Sequence, residues 1–500
     1  MATNSYGEHF YQNKLLLDPT EASFLDLILF LVSSNIKSRG FIECHEEHGL
    51  RNFSSRWIVV ISVLVQKILL FFRKPMAMIG NALEMWLNLL LCNGGFLKLL
   101  LNILKGKVVK TPDRSSEKFT SVIGNLDLRV ELDKKSSPGD EKYNASLSWM
   151  AAKLAYENGA FVESIVKDHW NVNEILGFLR LLERLDFPNI TGSDHLNQAS
   201  THAFMIQDTK TDPNLFVLAF RGTEPFDAYG WATDMDLSWY KLKGIGQIHR
   251  GFMKALGLQN NGWPKEIIEP DHDYLYAYYE TRQMLRDIVS KNEQAKFIVT
   301  GHSLGGALAI LFVAVLTMHG EAELLERLEG VYTFGQPRVG DEEFGEYMID
   351  GLKKHKVKYL RYVYCNDMVP RVPFDNNCFF YKHFWECKYY TSWYKEKVSV
   401  PSLSPSLPPS LSISYAVDEQ LINAFVTNPD TGYARRAEQE LLLFVNGHTQ
   451  VLECCLGADQ KFYNPLPEGS RLQRKLVDDT DKGGRAGGSR IISTLSSRLY

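Results

Sequence analysis

The chain predicts an α/β fold, a mixed and mainly parallel sheet flanked by helices, behind an apolar helical N-terminal region. Three observations carry this expectation. Residues 297–313 run from an apolar strand (Phe297-Ile-Val299) through Gly301-His-Ser-Leu-Gly305 into an Ala/Leu-rich helix. Two further strand-like runs, Leu215-Phe-Val-Leu-Ala-Phe220 and Lys358-Tyr-Leu-Arg-Tyr-Val-Tyr-Cys365, lie on either side of it in sequence. Ahead of them, apolar segments recur at residues 24–32, 57–72 and 76–104.

Composition bounds the rest. Five hundred residues with 45% apolar content bury a large core, and the roughly 250 residues from 146 to 398 suit one large domain. A net charge of −4 without a basic stripe excludes a nucleic-acid partner. Seven scattered cysteines argue against a disulfide framework and for a reducing compartment. Cys365, Cys378 and Cys387 lack metal-ligand spacing with any histidine pair and read as structural thiols, so no metal site is expected.

In chain order, residues 1–13 are polar and lack the pattern of a secretory signal, so the protein is expected not to be secreted. The apolar segments that follow are broken by Gln66, Lys67, Glu84, Asn88, Asn93-Gly-Gly95 and Lys98. No stretch reaches the ~20 clean apolar residues of a conventional span. Pro75 and Gly94-Gly95 are expected to divide the region into short helices, with Lys98, Lys105, Lys107 and Lys110 snorkelling towards lipid head groups. The alternative is an extra helical layer packed on the catalytic domain. Residues 1–110 are therefore read as a membrane-surface association region, which the family resemblance described below extends to lipid droplets, and 111–145 as a polar linker. Residues 146–398 read as the large globular domain, whose first helix is expected to start at Ser146 (Trp149, Met150, Leu154, Ala155). Residues 194–221 read as two strands joined by a polar turn. Residues 399–500 open on Val-Pro-Ser-Leu-Ser-Pro-Ser-Leu repeats and read as a low-complexity, divergent tail.

The strand–turn–helix at 297–313 is the context in which a Gly-x-Ser-x-Gly serine becomes a nucleophile. Gly301 and Gly305 leave room for the strained turn, and the helix N-terminus faces any oxyanion formed beside Ser303. Arg221-Gly-Thr223 ends its strand in a flexible turn; its Thr223 and the N–H of Leu304 supply the two donors that an acyl-transfer oxyanion needs. Asp367, just past a strand, suits the orienting acid in the order Ser…Asp…His.

These segments resemble the lipase class 3 family: Phe220-Arg-Gly-Thr223, His249-Arg-Gly-Phe252, the Gly-His-Ser-Leu-Gly-Gly turn, Thr333-Phe-Gly-Gln-Pro-Arg-Val-Gly340 and Asn366-Asp-Met-Val-Pro-Arg-Val-Pro373. The chain is most similar to its plant oil-body triacylglycerol lipases. The resemblance implies an α/β-hydrolase fold, no cofactor and hydrolysis of acylglycerol esters at a lipid-droplet surface or the cytoplasmic face of a membrane. It carries nucleophile onto Ser303, triad acid onto Asp367, oxyanion donors onto Thr223 and Leu304, and a lid onto residues 224–237. Phe226, Tyr229, Trp231 and Met235 give that lid an apolar face. One part departs from the family: the histidine segment expected after residue 399 is missing. His448, on a loop after a helix-like stretch, is the candidate base, whereas His383 matches a structural position. A serine without a base is a poor nucleophile, so a catalytically impaired droplet-associated protein stays open beside the lipase. So does a phospholipase or galactolipase of the same fold.

Overall fold

The computed structural model describes residues 11–32, 40–44, 50, 52–132, 140–170, 182–188, 199–208, 212–257, 277–364, 367–373, 380–390 and 396–399. His448 and the rest of the 400–500 tail lie outside them.

The N-terminal part comprises β1 (Asn13–Leu17), α1 (Phe24–Val32), β2 (Ile42–Cys44), α2 (Phe53–Phe71), α3 (Arg73–Cys92), α4 (Phe96–Leu104) and α5 (Val122–Leu126). The catalytic part follows with α6 (Glu141–Leu154), α7 (Gly159–Ser164), β3 (Leu182–Pro188), β4 (Ala199–Gln207), β5 (Leu215–Phe220), α8 (Ala228–Asp234), β6 (Trp239–Leu242), β7 (Gly246–His249) and α9 (Arg250–Ala255). It continues with α10 (Ala277–Lys291), β8 (Lys296–His302), α11 (Leu304–Met318), α12 (Ala322–Arg327), β9 (Leu328–Phe334), α13 (Glu342–Lys354), β10 (Lys358–Tyr364), β11 (Cys387–Tyr390) and β12 (Glu396–Ser399).

The main sheet has the order β12-β11-β10-β9-β8-β5-β4-β3. Its centre, from β5 to β11, is parallel, and β3, β4 and β12 are antiparallel at the edges. All six residues of β5 are buried, as expected for a strand covered on both faces. The two-residue period sorts them. Phe216, Leu218 and Phe220 enter the core beneath α11, while Leu215, Val217 and Ala219 enter the core beneath α6. Thirteen residues of α11, Leu304 through Leu316, are buried, so its apolar composition all round is that of a helix enclosed by protein.

The strand pair expected at 194–221 is β4 and β5, and the first catalytic helix starts at Glu141 rather than Ser146. The apolar region departs further from expectation. α2 and α3 part at Phe72, and Pro75 sits in the first turn of α3, where a missing N–H costs no helical bond, but the helices are not short. Two helices of 19 and 20 residues result, long and apolar enough to cross a membrane by length and composition. Gly94 and Gly95, with φ of 76° and 97°, end α3 as expected.

Gln66, Lys67, Glu84 and Asn88, which interrupt the apolar run, are committed to protein contacts. Lys67 donates to the carbonyls of Pro19 and Ala22 at 2.8 and 2.7 Å, and Gln66 donates to Ser62 at 3.0 Å. On α3, Glu84 pairs with Arg114 at 2.9 Å. Asn88 exchanges two hydrogen bonds with Thr120, at 2.8 and 2.9 Å. The segment expected as a linker thus carries α5 and lies along the polar face of α3.

The N-terminal part is also tied to the catalytic part. β1 pairs with β2 and β6 in a four-stranded antiparallel sheet, order β2-β1-β6-β7. Val59, Val60 and Val63 of α2 share one core with Leu237, Trp239 and Tyr381. The region is therefore a helical layer on the catalytic domain that still leaves large apolar side chains of α1, α3 and α4 exposed.

Candidate active site

β8 ends at His302, α11 begins at Leu304, and Ser303 makes the turn between them with φ 56° and ψ −129°. A non-glycine residue in that region is strained, and strain of this kind clusters at functional sites. Its neighbours show why the motif needs glycine. A Cβ on Gly301 would lie 2.1 Å from the Gly305 carbonyl oxygen, and one on Gly305 would lie 2.2 Å from that of Phe220. Ser303 is buried, and its Oγ has no hydrogen-bond partner among the described residues.

The loop after β5 packs against this turn. A Cβ on Gly222 would come within 2.3 Å of the His302 carbonyl oxygen and 3.2 Å of the Ser303 Cβ. That contact sets Thr223 beside the Ser303 turn, with Leu304, the first residue of α11, presenting an N–H that has no intrahelical acceptor. Thr223 Oγ1 donates to Asp234 Oδ2 at 2.8 Å. Burial pushes the Asp234 carboxyl up to about 7, against the lowering effect of that hydrogen bond. Gly230 of α8 presses on the same threonine, since a Cβ there would lie 2.6 Å from Thr223 Cγ2. The expected lid is therefore seated on the Gly222–Thr223 loop, and its Phe226, Tyr229, Trp231 and Met235 are half-buried.

Asp367 follows β10. Its N–H donates to the Tyr364 carbonyl at 3.0 Å, and its Oδ1 accepts from the Val369 N–H at 3.0 Å. Burial raises its carboxyl to about 7, with the Val369 hydrogen bond and Arg371 pulling the other way. Gly335, at φ 58°, lies between this carboxylate and the nucleophile turn: a Cβ on it would be 2.8 Å from Asp367 Oδ2 and 3.7 Å from His302 Nε2. The structure thus gathers Ser303, Thr223, Leu304 and Asp367 at the ends of β8, β5 and β10. His383 lies elsewhere in the local network, its Nε2 2.6 Å from the Pro370 carbonyl oxygen. Burial holds its pKa well below the ordinary value, which keeps the ring neutral.

Three contributors escaped the sequence reading. Tyr156 Oη is 2.9 Å from His302 Nδ1 and hydrogen-bonds the backbone of Gly222, so it joins the nucleophile turn to the oxyanion loop. Its burial raises the phenol far above its ordinary range, and the hydroxyl keeps its proton. Trp149 stands edge-on to the His302 ring, centroids 5.6 Å apart. Asp234 is the third. Only Asp234 had a local signal, its position eleven residues after Thr223 inside the expected lid.

Comparison with known proteins decides the family. The lipase (class 3) model matches residues 217–377. Triacylglycerol lipase OBL1 of Arabidopsis thaliana is 39% identical over 427 residues, covering 77% of this chain and 80% of that protein. The chain belongs to the lipase class 3 family. The relative of the same name from Ricinus communis is 37% identical, covering 76% of this chain and 79% of its own length. A solved Rhizomucor miehei triacylglyceride lipase shares 26% identity over 46% of this chain and 76% of that one, with a TM-score of 0.33. This class 3 lipase is a carboxylic ester hydrolase, and its strand order with the serine after β8 is that of an α/β-hydrolase.

Proposed function

We propose that this lipase hydrolyses triacylglycerol at a lipid-droplet or membrane surface, with Ser303 as nucleophile, Asp367 as triad acid, and Thr223 and Leu304 as oxyanion donors. The observation that carries the reading is Ser303 at φ 56° between β8 and α11, with the Gly222–Thr223 loop packed on it. Ser303 Oγ attacks the ester carbonyl and its proton passes to a histidine. The Leu304 N–H and Thr223 stabilise the tetrahedral oxyanion. The histidine then protonates the departing glyceride alkoxide, leaving an acyl-enzyme that water hydrolyses by the same steps in reverse roles. Asp367 holds the histidine and balances its charge. His448 is the candidate the sequence offers for that base; none of the described histidines bonds Ser303 Oγ. No step draws on a cofactor. The relatives' name supports the substrate class, and the exposed apolar side chains of α1, α3 and α4 support a lipid surface as the place of action.

Emulsified triacylglycerol and a serine-reactive fluorophosphonate test this together. Wild-type protein releases fatty acid and is labelled, and Ser303→Ala loses both, activity by about 10⁴-fold or more. Unchanged hydrolysis in Ser303→Ala refutes the assignment. Absent labelling of wild-type protein favours a catalytically impaired protein instead. Faster acyl release from phospholipid or galactolipid emulsions reassigns the substrate.

A further inference from the structure

We propose that α2 and α3 latch the 224–237 lid shut, and that engagement of α3 and α4 with a lipid surface is what releases it. This builds on the reading of Ser303 as a surface-acting esterase. The lid helix α8 is held from two sides. Below, Gly230 and Asp234 sit on Thr223, as described above. Above, Ser62 Oγ of α2 donates to the Met235 carbonyl at 2.7 Å. On α3, Gly80 is buried so tightly that a Cβ there would lie 2.6 Å from Phe226 Cβ and 2.8 Å from its Cγ. The chain leaving the lid is fixed as well, because Leu237 and Trp239 are buried in the core formed by Val59 and Val63. A lid gripped in this way cannot swing while α2 and α3 stay in place.

The same helices carry the surface that meets lipid. Ile79, Leu83 and Trp86 stand exposed on the side of α3 away from its Glu84–Asn88 contacts. On α4, Leu97, Leu101 and Leu104 are 74%, 50% and 73% exposed. Exposed Lys98, Lys105, Lys107 and Lys110 flank α4 and match the phosphates of lipid head groups. The lid's own aromatic residues are half covered by contrast, so lipid reaches the outer helices first. A lipid monolayer held against the lid by α3 and α4 biases the latched state towards the released one, because the half-buried Phe226, Tyr229, Trp231 and Met235 gain full burial in lipid only once they leave α2 and α3.

Amide hydrogen exchange over residues 224–237 tests the latch in the full-length Ser303→Ala chain, which cannot alter the lipid it binds. The probe is a triolein droplet coated with phosphatidylcholine and phosphatidylserine. Droplets should speed lid exchange at least about tenfold. In Leu97→Gln/Leu101→Gln/Leu104→Gln, the droplets should leave it slow. Gly80→Leu, which wedges α3 off Phe226, should speed lid exchange without droplets and raise hydrolysis of monomeric p-nitrophenyl butyrate in a chain retaining Ser303. To separate a lost latch from general loosening, Gly80→Ala is paired with Phe226→Gly, which removes the clashing Cβ and should slow lid exchange again. Lid exchange that droplets speed equally in the α4 variant overturns the proposal, as does a folded Gly80→Leu with wild-type lid exchange. If exchange behaves as stated while no ester is hydrolysed, the latch stands and the esterase reading falls.

Discussion

Asp367 faces opposite demands from folding and from catalysis. Burial raises its carboxyl from 3.8 to about 7, so the folded chain keeps a proton that the unfolded chain gives up. Stability from this group is present below the unfolded value and is lost as pH rises through about 7. Asp234 and Glu157, also raised to about 7 by burial, act in the same direction. Buried, neutral His249 and His383 act the other way over the same range, so the carboxyl contribution is read as the difference between wild type and variant. Asp367→Asn removes one of these titrations: between pH 5 and 8 its melting temperature should rise relative to that of wild type, while ester hydrolysis falls by about 10³- to 10⁴-fold. A variant whose melting keeps the full wild-type slope counts against a buried, protonated Asp367; one that keeps its activity counts against its role as triad acid. Much of this site was legible in the sequence. Ser303, Gly301, Gly305 and Thr223 act through local backbone geometry, which a short motif encodes. Tyr156 was not legible, because its partner His302 lies 146 residues away and only the packing of α6 on β8 brings the two together.

At the scale of elements, the nucleophile turn depends on β5, β8 and α11 approaching with no side chain between them. Gly305→Ala tests that approach. Its new Cβ would lie 2.2 Å from a backbone oxygen of β5, and backbone on two elements cannot yield as a flexible side chain does. The variant should lose at least about 100-fold in activity, because displacing the helix by about 1 Å moves Leu304 away from the oxyanion. Gly320→Ala, at the end of α11 with no atom within 4 Å but φ 68°, should cost only about 1 kcal/mol of stability and leave activity intact. Equal losses in both would show general helix damage rather than a clash. The strands were readable because both faces of the sheet are covered and the apolar runs are unbroken. The N-terminal helices were harder to read. Gln66, Lys67, Glu84 and Asn88 look like defects in an apolar run, but they mark the faces that α2 and α3 turn towards protein. Their spacing, with Glu84 and Asn88 four apart, places the last two on one side of α3.

For the whole molecule, the decisive feature is that the apolar N-terminal helices and the catalytic fold share a core, which no local pattern in the sequence announced. β1 pairs with β6 across more than two hundred residues, and α2 buries Val59 and Val63 against Leu237, Trp239 and Tyr381. An anchor that merely tethered the domain could be removed cleanly. Deletion of residues 50–110 strips this core and uncovers the lid, so the product should aggregate or bind an apolar dye strongly instead of appearing as folded soluble enzyme. Surface substitutions separate binding from folding. Leu97→Gln/Leu101→Gln/Leu104→Gln alters side chains that already face outward, so melting should shift by no more than a few degrees. Three leucines of this kind contribute about 5 kcal/mol when buried in lipid, more than scattered lysines supply. The triple variant should move from the floating droplet layer to the soluble fraction, while high salt should leave wild-type protein on the droplets and detergent should remove it. Release of wild-type protein by salt alone would assign the attachment to the lysines, and a triple variant that still floats would place it on other helices.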